Sequence, residues 1–309
     1  MEVQVIENVN VCLDAKVRVK EMGNVTEIMY SNTYASKCSI KKIDADNYID
    51  LKDGELKQFI KIENRAQDLS SVRKSLGRLR DYINTNVTDV GNCKWVTLTY
   101  QENMTDTVKL NNDFKMFNRR LRKEIGHYEY IVSREPQGRG AWHCHVILIF
   151  KYKAPFIHND VIWKAWSPKG FKKGVDYTKT QKLDDVDNVG AYLTAYMADM
   201  ELKDLVENTN VLECSSGFKV KDVEVLENGE KVKKSYVKGA RLYLYPPKFN
   251  IYSCSNGIEK PNIYYDIEKN AQKKVSAGTL TYEKSIELID SENNFNKVIN
   301  YRYYNSVRK

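Results

Sequence analysis

Apolar residues recur at helical spacing in two stretches of the chain. In the first stretch, residues 68–84, these positions are four, three and four residues apart: Val72, Leu76, Leu79 and Ile83. In the second stretch, between Asp106 and Gly126, they are Phe114, Phe117, Leu121 and Ile125. Side chains three and four residues apart share one face of a helix. The pattern therefore predicts two amphipathic helices, the second capped by Asp106 and ended by Gly126.

Short runs rich in apolar, β-branched and aromatic residues predict strands around the second helix. These runs are residues 94–100, 127–134, 141–150 and 174–180. A helix is predicted over 159–166, and another over 189–200 with Asp187 as its cap. The order strand, helix, strand, strand, helix, strand is typical of a ferredoxin-like fold. The predicted fold class is α+β, with a ferredoxin-like (RRM-like) antiparallel sheet and elaborations at both ends.

Three regions follow from this pattern. Residues 1–88 form a mixed N-terminal region that includes the first basic helix, residues 89–202 form the predicted core, and residues 203–309 form a C-terminal α/β region. In the last region, Asn228-Gly229 between two β-prone stretches predicts a hairpin. Residues 240–252 have strand character interrupted by two prolines. No role is assigned to the regions outside the core.

The charge of the chain favours a polyanionic partner. The formal net charge is +8, and a basic balance of this size is compatible with nucleic acid. The basic face of the first helix is interpreted either as solvated surface or as a DNA contact. The basic face of the second helix is the candidate DNA-binding surface: Arg119, Arg120, Arg122 and Lys123.

Several classes of protein are disfavoured by what the sequence lacks. None of the six cysteines forms a C-x-x-C pair, so they are expected to be reduced thiols in a cytoplasmic protein rather than zinc ligands. We see no signal segment and no apolar run of roughly 20 residues, so no membrane association is expected. The absence of a G-x-x-x-x-G-K-[ST] loop argues against an ATPase.

His143-Cys144-His145 is the most unusual motif. It lies in the apolar run of residues 141–150, where side chains alternate between the two faces of a strand. Both imidazoles therefore share one face. Imidazoles seldom enter an apolar strand unless they are hydrogen-bonded or bind a metal. The pair is well placed to hold one divalent ion.

Glu135 is the predicted third ligand. It ends the strand before the histidines, and Pro136 and Gly140 bound a turn-forming stretch between the two strands. A hairpin would return the carboxylate to the histidine face. One carboxylate and two imidazoles form a partial shell for Mg²⁺ or Mn²⁺. The alternative is that Glu135 is a surface acid near a turn.

Tyr192 and Tyr196 are four residues apart on the predicted helix 189–200, so they share one face. A phenol beside a metal-polarised phosphate can attack phosphorus and form a covalent phosphotyrosine. The alternative is ordinary packing, since the chain has 21 tyrosines.

Together these motifs resemble the HUH endonuclease superfamily, and within it the rolling-circle replication initiators of plasmids and phages. Residues 95–100 are similar to the first family motif, a hydrophobic strand with threonines. His143-Cys144-His145 is similar to the His-hydrophobic-His motif, and residues 192–196 are similar to the nucleophile motif. The three motifs occur in the family order.

This resemblance implies nicking of one strand of origin DNA through a 5′-phosphotyrosine, followed by rejoining through transesterification. It makes His143, His145 and Glu135 the metal ligands and Tyr192 the nucleophile. Tyr196 would be a second catalytic tyrosine, as in the phage-type initiators. The implied partners are single-stranded or supercoiled origin DNA, a host helicase and a polymerase. One departure is Ala195, which stands where many members have a lysine.

Two alternatives share some of these features. A single-tyrosine HUH transposase has the same motif order, although its chains are typically much shorter. A non-catalytic RRM-like module would bind nucleic acid through aromatic side chains on its sheet, whereas this strand carries histidines. Covalent attachment to single-stranded DNA would distinguish the catalytic hypotheses from the binding module.

Overall fold

The structure, a computed structural model, describes residues 2–34, 39–167, 178–181, 197–207, 219–227, 230–291 and 295–308. In these ranges the chain is a mixed α/β protein with antiparallel sheets. This part of the predicted fold class is confirmed. None of the described helices is both long and apolar enough to cross a membrane. Free thiols are present at Cys12, Cys93, Cys144 and Cys254; Cys38 and Cys214 lie outside the described residues.

The helices of the described residues are α1 (Leu69–Asn86), α2 (Thr107–Ile125), α3 (Asn159–Trp166), α4 (Leu202–Glu207) and α5 (Glu268–Val275). The strands are β1 (Glu2–Ile6), β2 (Lys16–Met22), β3 (Val25–Ser31), β4 (Ile40–Lys42), β5 (Asn47–Asp50), β6 (Leu56–Gln58), β7 (Cys93–Thr99), β8 (Glu129–Pro136), β9 (Trp142–Ile149), β10 (Thr178–Gln181), β11 (Met200–Glu201), β12 (Val220–Glu227), β13 (Glu230–Val237), β14 (Tyr252–Cys254), β15 (Asn262–Ile267), β16 (Thr279–Asp290) and β17 (Phe295–Asn305).

The chain divides into two units, and the first combines both ends of the sequence. It contains residues 1–21, 25–63 and 262–309. Its main sheet has the order β1-β16-β17-β3-β2-β15, and β4, β5 and β6 form a smaller sheet. A buried ion pair joins Arg302 to Glu268, with Nη1–Oε1 and Nη2–Oε2 distances of 2.5 and 2.7 Å. The predicted boundaries at 88/89 and 202/203 stay predictions.

The second unit contains residues 22–24 and 64–261, and it carries the histidine motif. Its five-stranded sheet has the order β10-β7-β9-β8-β14, and β11, β13 and β12 form a second sheet. Helices α2 and α3 cover one face of the five-stranded sheet. Phe114 of α2 packs against Tyr130 of β8, with ring centroids 5.2 Å apart. Trp166 of α3 packs against Phe117 of α2 at 6.0 Å.

Helices α1 and α2 begin and end where local chemistry predicts. The Asp106 carboxylate accepts hydrogen bonds from the backbone N–H groups of Val108 and Lys109, which satisfies donors that the first turn leaves free. Gly126 follows α2 with a φ of 83°, a conformation that favours glycine. The Asp68 carboxylate accepts from the N–H of Ser71 and caps α1.

Two predicted elements are wrong in part. The helix over 189–200 does not reach Met200, which lies in β11 opposite Val237 of β13. Pairing with a distant strand overrides local helical pattern there; residues 182–196 lie outside the described ones. The strand expected over 240–252 is a 3-10 helix at Ala240–Leu244, and strand structure begins only at Tyr252. The prolines remove the N–H donors that a strand would need.

The hairpin predicted in the C-terminal region has its two strands. Strands β12 and β13 pair antiparallel, with Glu227 opposite Glu230. The turn residues 228–229 lie outside the described part of the chain.

Candidate metal centre

Strand pairing brings the predicted acid to the histidines. In the β8–β9 hairpin, Glu135 lies directly opposite His143, and Ser133 lies opposite His145. The turn between them is closed by a hydrogen bond of 2.7 Å from the N–H of Gln137 to the carbonyl oxygen of Ala141. Gly140 has a φ of 86°, which favours glycine. Directly paired residues share a face, so the carboxylate faces the same side as both imidazoles.

The three side chains form a compact cluster. The two Nε2 atoms of His143 and His145 are 2.9 Å apart. The Glu135 Oε2 atom lies 3.5 Å from Nε2 of His145 and 3.9 Å from Nε2 of His143. Glu135 and His143 are each only 8% exposed. One ligand atom from each residue lies within 4.8 Å of the others, so the cluster could hold a metal ion.

The donor set fits a divalent metal. Burial lowers the pKa of His145 to about 4, and burial together with the neighbouring His145 lowers the pKa of His143 well below its ordinary value. Both rings are therefore neutral near pH 7, the form that binds metals. Two facing ring nitrogens need a proton or a cation between them, because their lone pairs repel. Ligands at right angles around a metal with bonds of about 2.1 Å lie about 3 Å apart, close to the observed nitrogen separation.

Thr97 of β7 orients His145 from the other side. Thr97 lies opposite His145 in the sheet, and its Oγ1 is 3.2 Å from His145 Nδ1. The indole N–H of Trp95 donates to the same Oγ1 at 3.3 Å, and the Trp95 ring packs against His145. If Nδ1 carries the proton and donates it to Thr97, the Nε2 lone pair points toward Glu135. The threonine of the first motif thus supports the ligand geometry.

We expect Thr97→Val to weaken metal binding by about 10- to 100-fold, because an outer hydrogen-bonding partner of a ligating histidine is lost. The measurement is a Mn²⁺ titration of the full chain by calorimetry or electron paramagnetic resonance. Thr99→Val is the matched control, since Thr99 lies opposite His143 on the same strand and His143 Nδ1 has no hydrogen-bond partner among the described residues. Equal affinities of wild type and Thr97→Val would remove this role.

Arg241 is a member of the site that the sequence analysis missed. It lies in the 3-10 helix Ala240–Leu244, is 9% exposed, and its Nη1 forms an ion pair with Oε1 of Glu135. Because Oε1 pairs with Arg241, Oε2 is the oxygen nearest both histidines. Arg241 also places a cation beside the cluster, where it can complement a phosphate. No local motif marks this arginine, since its partner lies far along the chain.

Tyr192 and Tyr196 lie outside the described residues, and their catalytic role stays a prediction. The described chain resumes at Met197, whose carbonyl oxygen is 3.5 Å from the Tyr245 hydroxyl. The next carbonyl, of Ala198, accepts a hydrogen bond of 3.2 Å from the N–H of Arg241. The residues that directly follow the tyrosine motif therefore lie beside Arg241, which contacts Glu135.

The candidate DNA surface on α2 lies across the sheet from this cluster. Helix α2 packs on the face of Tyr130 and Arg134, whereas Glu135 has the opposite orientation. Arg120 donates to the carbonyl oxygen of Ala165 at 3.1 Å, and Arg122 donates to that of Tyr128 at 2.8 Å. Two of the four basic residues thus take part in the fold, and a DNA-binding role for this face stays a prediction.

Comparison with known proteins locates a family similarity over the same region. A family of replication-associated proteins of the ORF2 type matches residues 93–201, about a third of the chain. No curated protein matches, and no solved structure matches. The matched region contains Glu135, His143 and His145 as well as both tyrosines of the nucleophile motif. The match supports a replication-associated protein that acts in replication initiation.

Proposed function

We propose that this protein is a rolling-circle replication initiator of the HUH type, which nicks one strand of origin DNA and rejoins it by transesterification. The observation that carries the proposal is the cluster of Glu135, His143 and His145 on one sheet face. It lies in the region that is similar to replication-associated proteins. A histidine pair with a carboxylate is a suitable site for a metal that activates phosphate.

The sheet supports a ferredoxin-like core for this function. In chain order the relevant strands are β7, β8, β9 and β10, and in space they are arranged β10-β7-β9-β8. The fourth strand thus lies beside the first, and the third lies between the first and second. Helices α2 and α3 cover one face, which leaves the proposed catalytic cluster on the other. Strand β14 extends the sheet beyond β8.

The proposed chemistry divides the work among a few residues. Glu135, His143 and His145 would hold Mg²⁺ or Mn²⁺, which when bound supplies Lewis-acid polarisation of the scissile phosphate. The Tyr192 oxygen forms a bond to phosphorus as the bond to the 3′ oxygen breaks, which leaves a 5′-phosphotyrosine and a free 3′-hydroxyl. Rejoining is the reverse attack by a 3′-hydroxyl, which releases the tyrosine. Arg241 holds the Glu135 carboxylate in place.

The test is covalent attachment to DNA. Full-length protein is incubated with single-stranded DNA from the replicon that encodes it, with Mn²⁺ or with excess chelator. We expect a denaturation-resistant protein–DNA adduct with Mn²⁺, none with chelator, and recovery when Mn²⁺ is restored. A non-catalytic RRM-like module would bind the DNA without an adduct. The absence of any adduct on DNA that the protein binds would contradict the proposal.

A further inference from the structure

A second polar cavity lies in the same unit as the metal centre. Its volume is about 560 Å³, within the roughly 300–1,000 Å³ typical of ligand sites. One wall is the first half of α1, which contributes Ser71, Ser75 and Arg78. The opposite wall is the segment from Lys248 to Tyr252. Arg65, just before α1, also lines the cavity.

The cavity has an excess of positive charge. Three cationic side chains line it, Arg65, Arg78 and Lys248, against one carboxylate, that of Asp68. The Asp68 carboxylate already caps α1 through a hydrogen bond of 3.1 Å from the N–H of Ser71. Two serine hydroxyls add neutral hydrogen-bonding groups. This combination of guanidinium, ammonium and hydroxyl groups is suited to a phosphate.

Arg65 shows that the site is not fully satisfied by the protein alone. It is only 5% exposed, and no carboxylate of the described ranges forms an ion pair with it. Its Nη atoms contact the hydroxyls of Ser71 and Ser75 at 3.2 and 3.5 Å. Its Nε is buried without a hydrogen-bond partner in the structure described here. A buried charge that neutral hydroxyls alone contact is costly unless an anion pairs with it.

The cavity opens on the same sheet face as the metal centre. Tyr252 of β14 lies opposite Ser133 of β8, and Ser133 lies opposite His145 of β9. Paired residues share a face, and neighbouring strands are about 4.8 Å apart, so Tyr252 and His145 are separated by about 10 Å across the sheet. The cavity wall is joined to the strand that carries Glu135 by a hydrogen bond of 2.8 Å from the N–H of Arg134 to the carbonyl oxygen of Ile251.

We propose that this cavity binds a backbone phosphate of the DNA strand held at the metal centre, a few nucleotides from the scissile phosphate. The inference rests on the proposed function, since it takes single-stranded DNA as the substrate. The cavity would fix the register of the strand, with Arg65 and Arg78 pairing with the phosphate and Lys248 closing the rim. A free phosphate compound has the same chemistry, and the experiment separates the two sources.

The test uses Arg78→Gln and Lys248→Gly in the full chain. Lys248 has a φ of 61°, so glycine removes the ammonium group and relieves backbone strain. Arg73→Gln is the matched control: it makes the same charge change on α1, but residue 73 is half a turn away from positions 71, 75 and 78. Arg73 is exposed and does not line the cavity.

Binding of a fluorescent single-stranded oligonucleotide is measured by anisotropy in chelator, over a range of salt concentrations. We expect each cavity variant to lower affinity by about fivefold to tenfold and to reduce the salt slope by about 0.7 to 1. Arg73→Gln should change the slope less, and thermal unfolding should show that all variants are folded. If both cavity variants match Arg73→Gln, the proposal is overturned.

Two further arms distinguish the remaining outcomes. Inorganic pyrophosphate is titrated into the same proteins. Loss of pyrophosphate binding with unchanged DNA binding would show a site for a free phosphate compound and overturn the assignment to DNA. Adduct formation by the wild type with Mn²⁺ is measured in parallel. A wild type that forms the adduct beside cavity variants that bind DNA normally would sink this inference alone, whereas cavity-dependent binding without an adduct would sink only the nicking reaction.

Discussion

His143→Ala and His145→Ala are each expected to lower the rate of DNA adduct formation by at least about 100-fold. Loss of an outer partner of a metal ligand costs about 10- to 100-fold, and loss of a ligand itself should cost at least as much. The two Nε2 atoms lie 2.9 Å apart, so removal of either ring leaves only one imidazole with Glu135. The measurement is the initial rate of adduct formation at saturating Mn²⁺.

The fold should survive both substitutions, since the histidines stand on a strand that is paired on both sides. His127→Ala is the matched control, because this imidazole is exposed and contacts only Glu129 among the described residues. It should have wild-type activity. Thermal unfolding of the three variants should confirm folded protein. Wild-type adduct rates in His143→Ala, or full activity of the wild type in excess chelator, would remove the metal assignment.

Local patterns predicted the elements that position the cluster. Helix α3 spans Asn159–Trp166 as its pattern predicts, and Asp106 caps α2 as expected. The return of Glu135 to the histidine face was also predictable, since a short turn with a left-handed Gly140 determines which residues are paired. In each case the determining residues lie within a few positions of one another.

Features that depend on distant pairing were not predictable. Arg241 reaches Glu135 from a 3-10 helix far along the chain, and β14 adds to the sheet through pairing of Tyr252 with Ser133. Met200 has a helical pattern but pairs as a strand with Val237. Nothing in a single sequence states which distant segments meet, because tertiary contacts override weak local preferences. The phosphate cavity has the same origin, with one wall from α1 and the other from residues 248–252.

The order of the two tyrosines in catalysis is the remaining question about the nicking reaction. The family resemblance assigns the nucleophile to the first tyrosine of the motif, Tyr192. Tyr196 lies one helical turn later in the sequence pattern, so both phenols are expected to reach the same phosphate in turn. The chain directly after the motif is held beside Arg241 through the carbonyl oxygen of Ala198, which is consistent with a nucleophile near the cluster.

Tyr192→Phe is expected to abolish the first covalent adduct, because the phenol oxygen is the attacking atom and phenylalanine has none. Tyr196→Phe is expected to form that adduct at a rate close to wild type but to lose rejoining or strand transfer. The measurement is mass spectrometry of the DNA-linked peptide for wild type and both variants, together with a rejoining assay that supplies a free 3′-hydroxyl. The aromatic ring is retained in both substitutions, so a change reports the oxygen rather than the fold.

Tyr243→Phe provides a further control, since this tyrosine lies close to Arg241 in the 3-10 helix but outside the nucleophile motif, and it should form and resolve the adduct normally. A wild-type adduct that maps to Tyr196 and persists in Tyr192→Phe would reverse the order of the two tyrosines. An adduct on neither residue, in protein that still consumes the DNA substrate, would remove tyrosine catalysis from this motif. In that case a hydrolytic nick at the cluster, with water as the attacking group, would become the better account of the site.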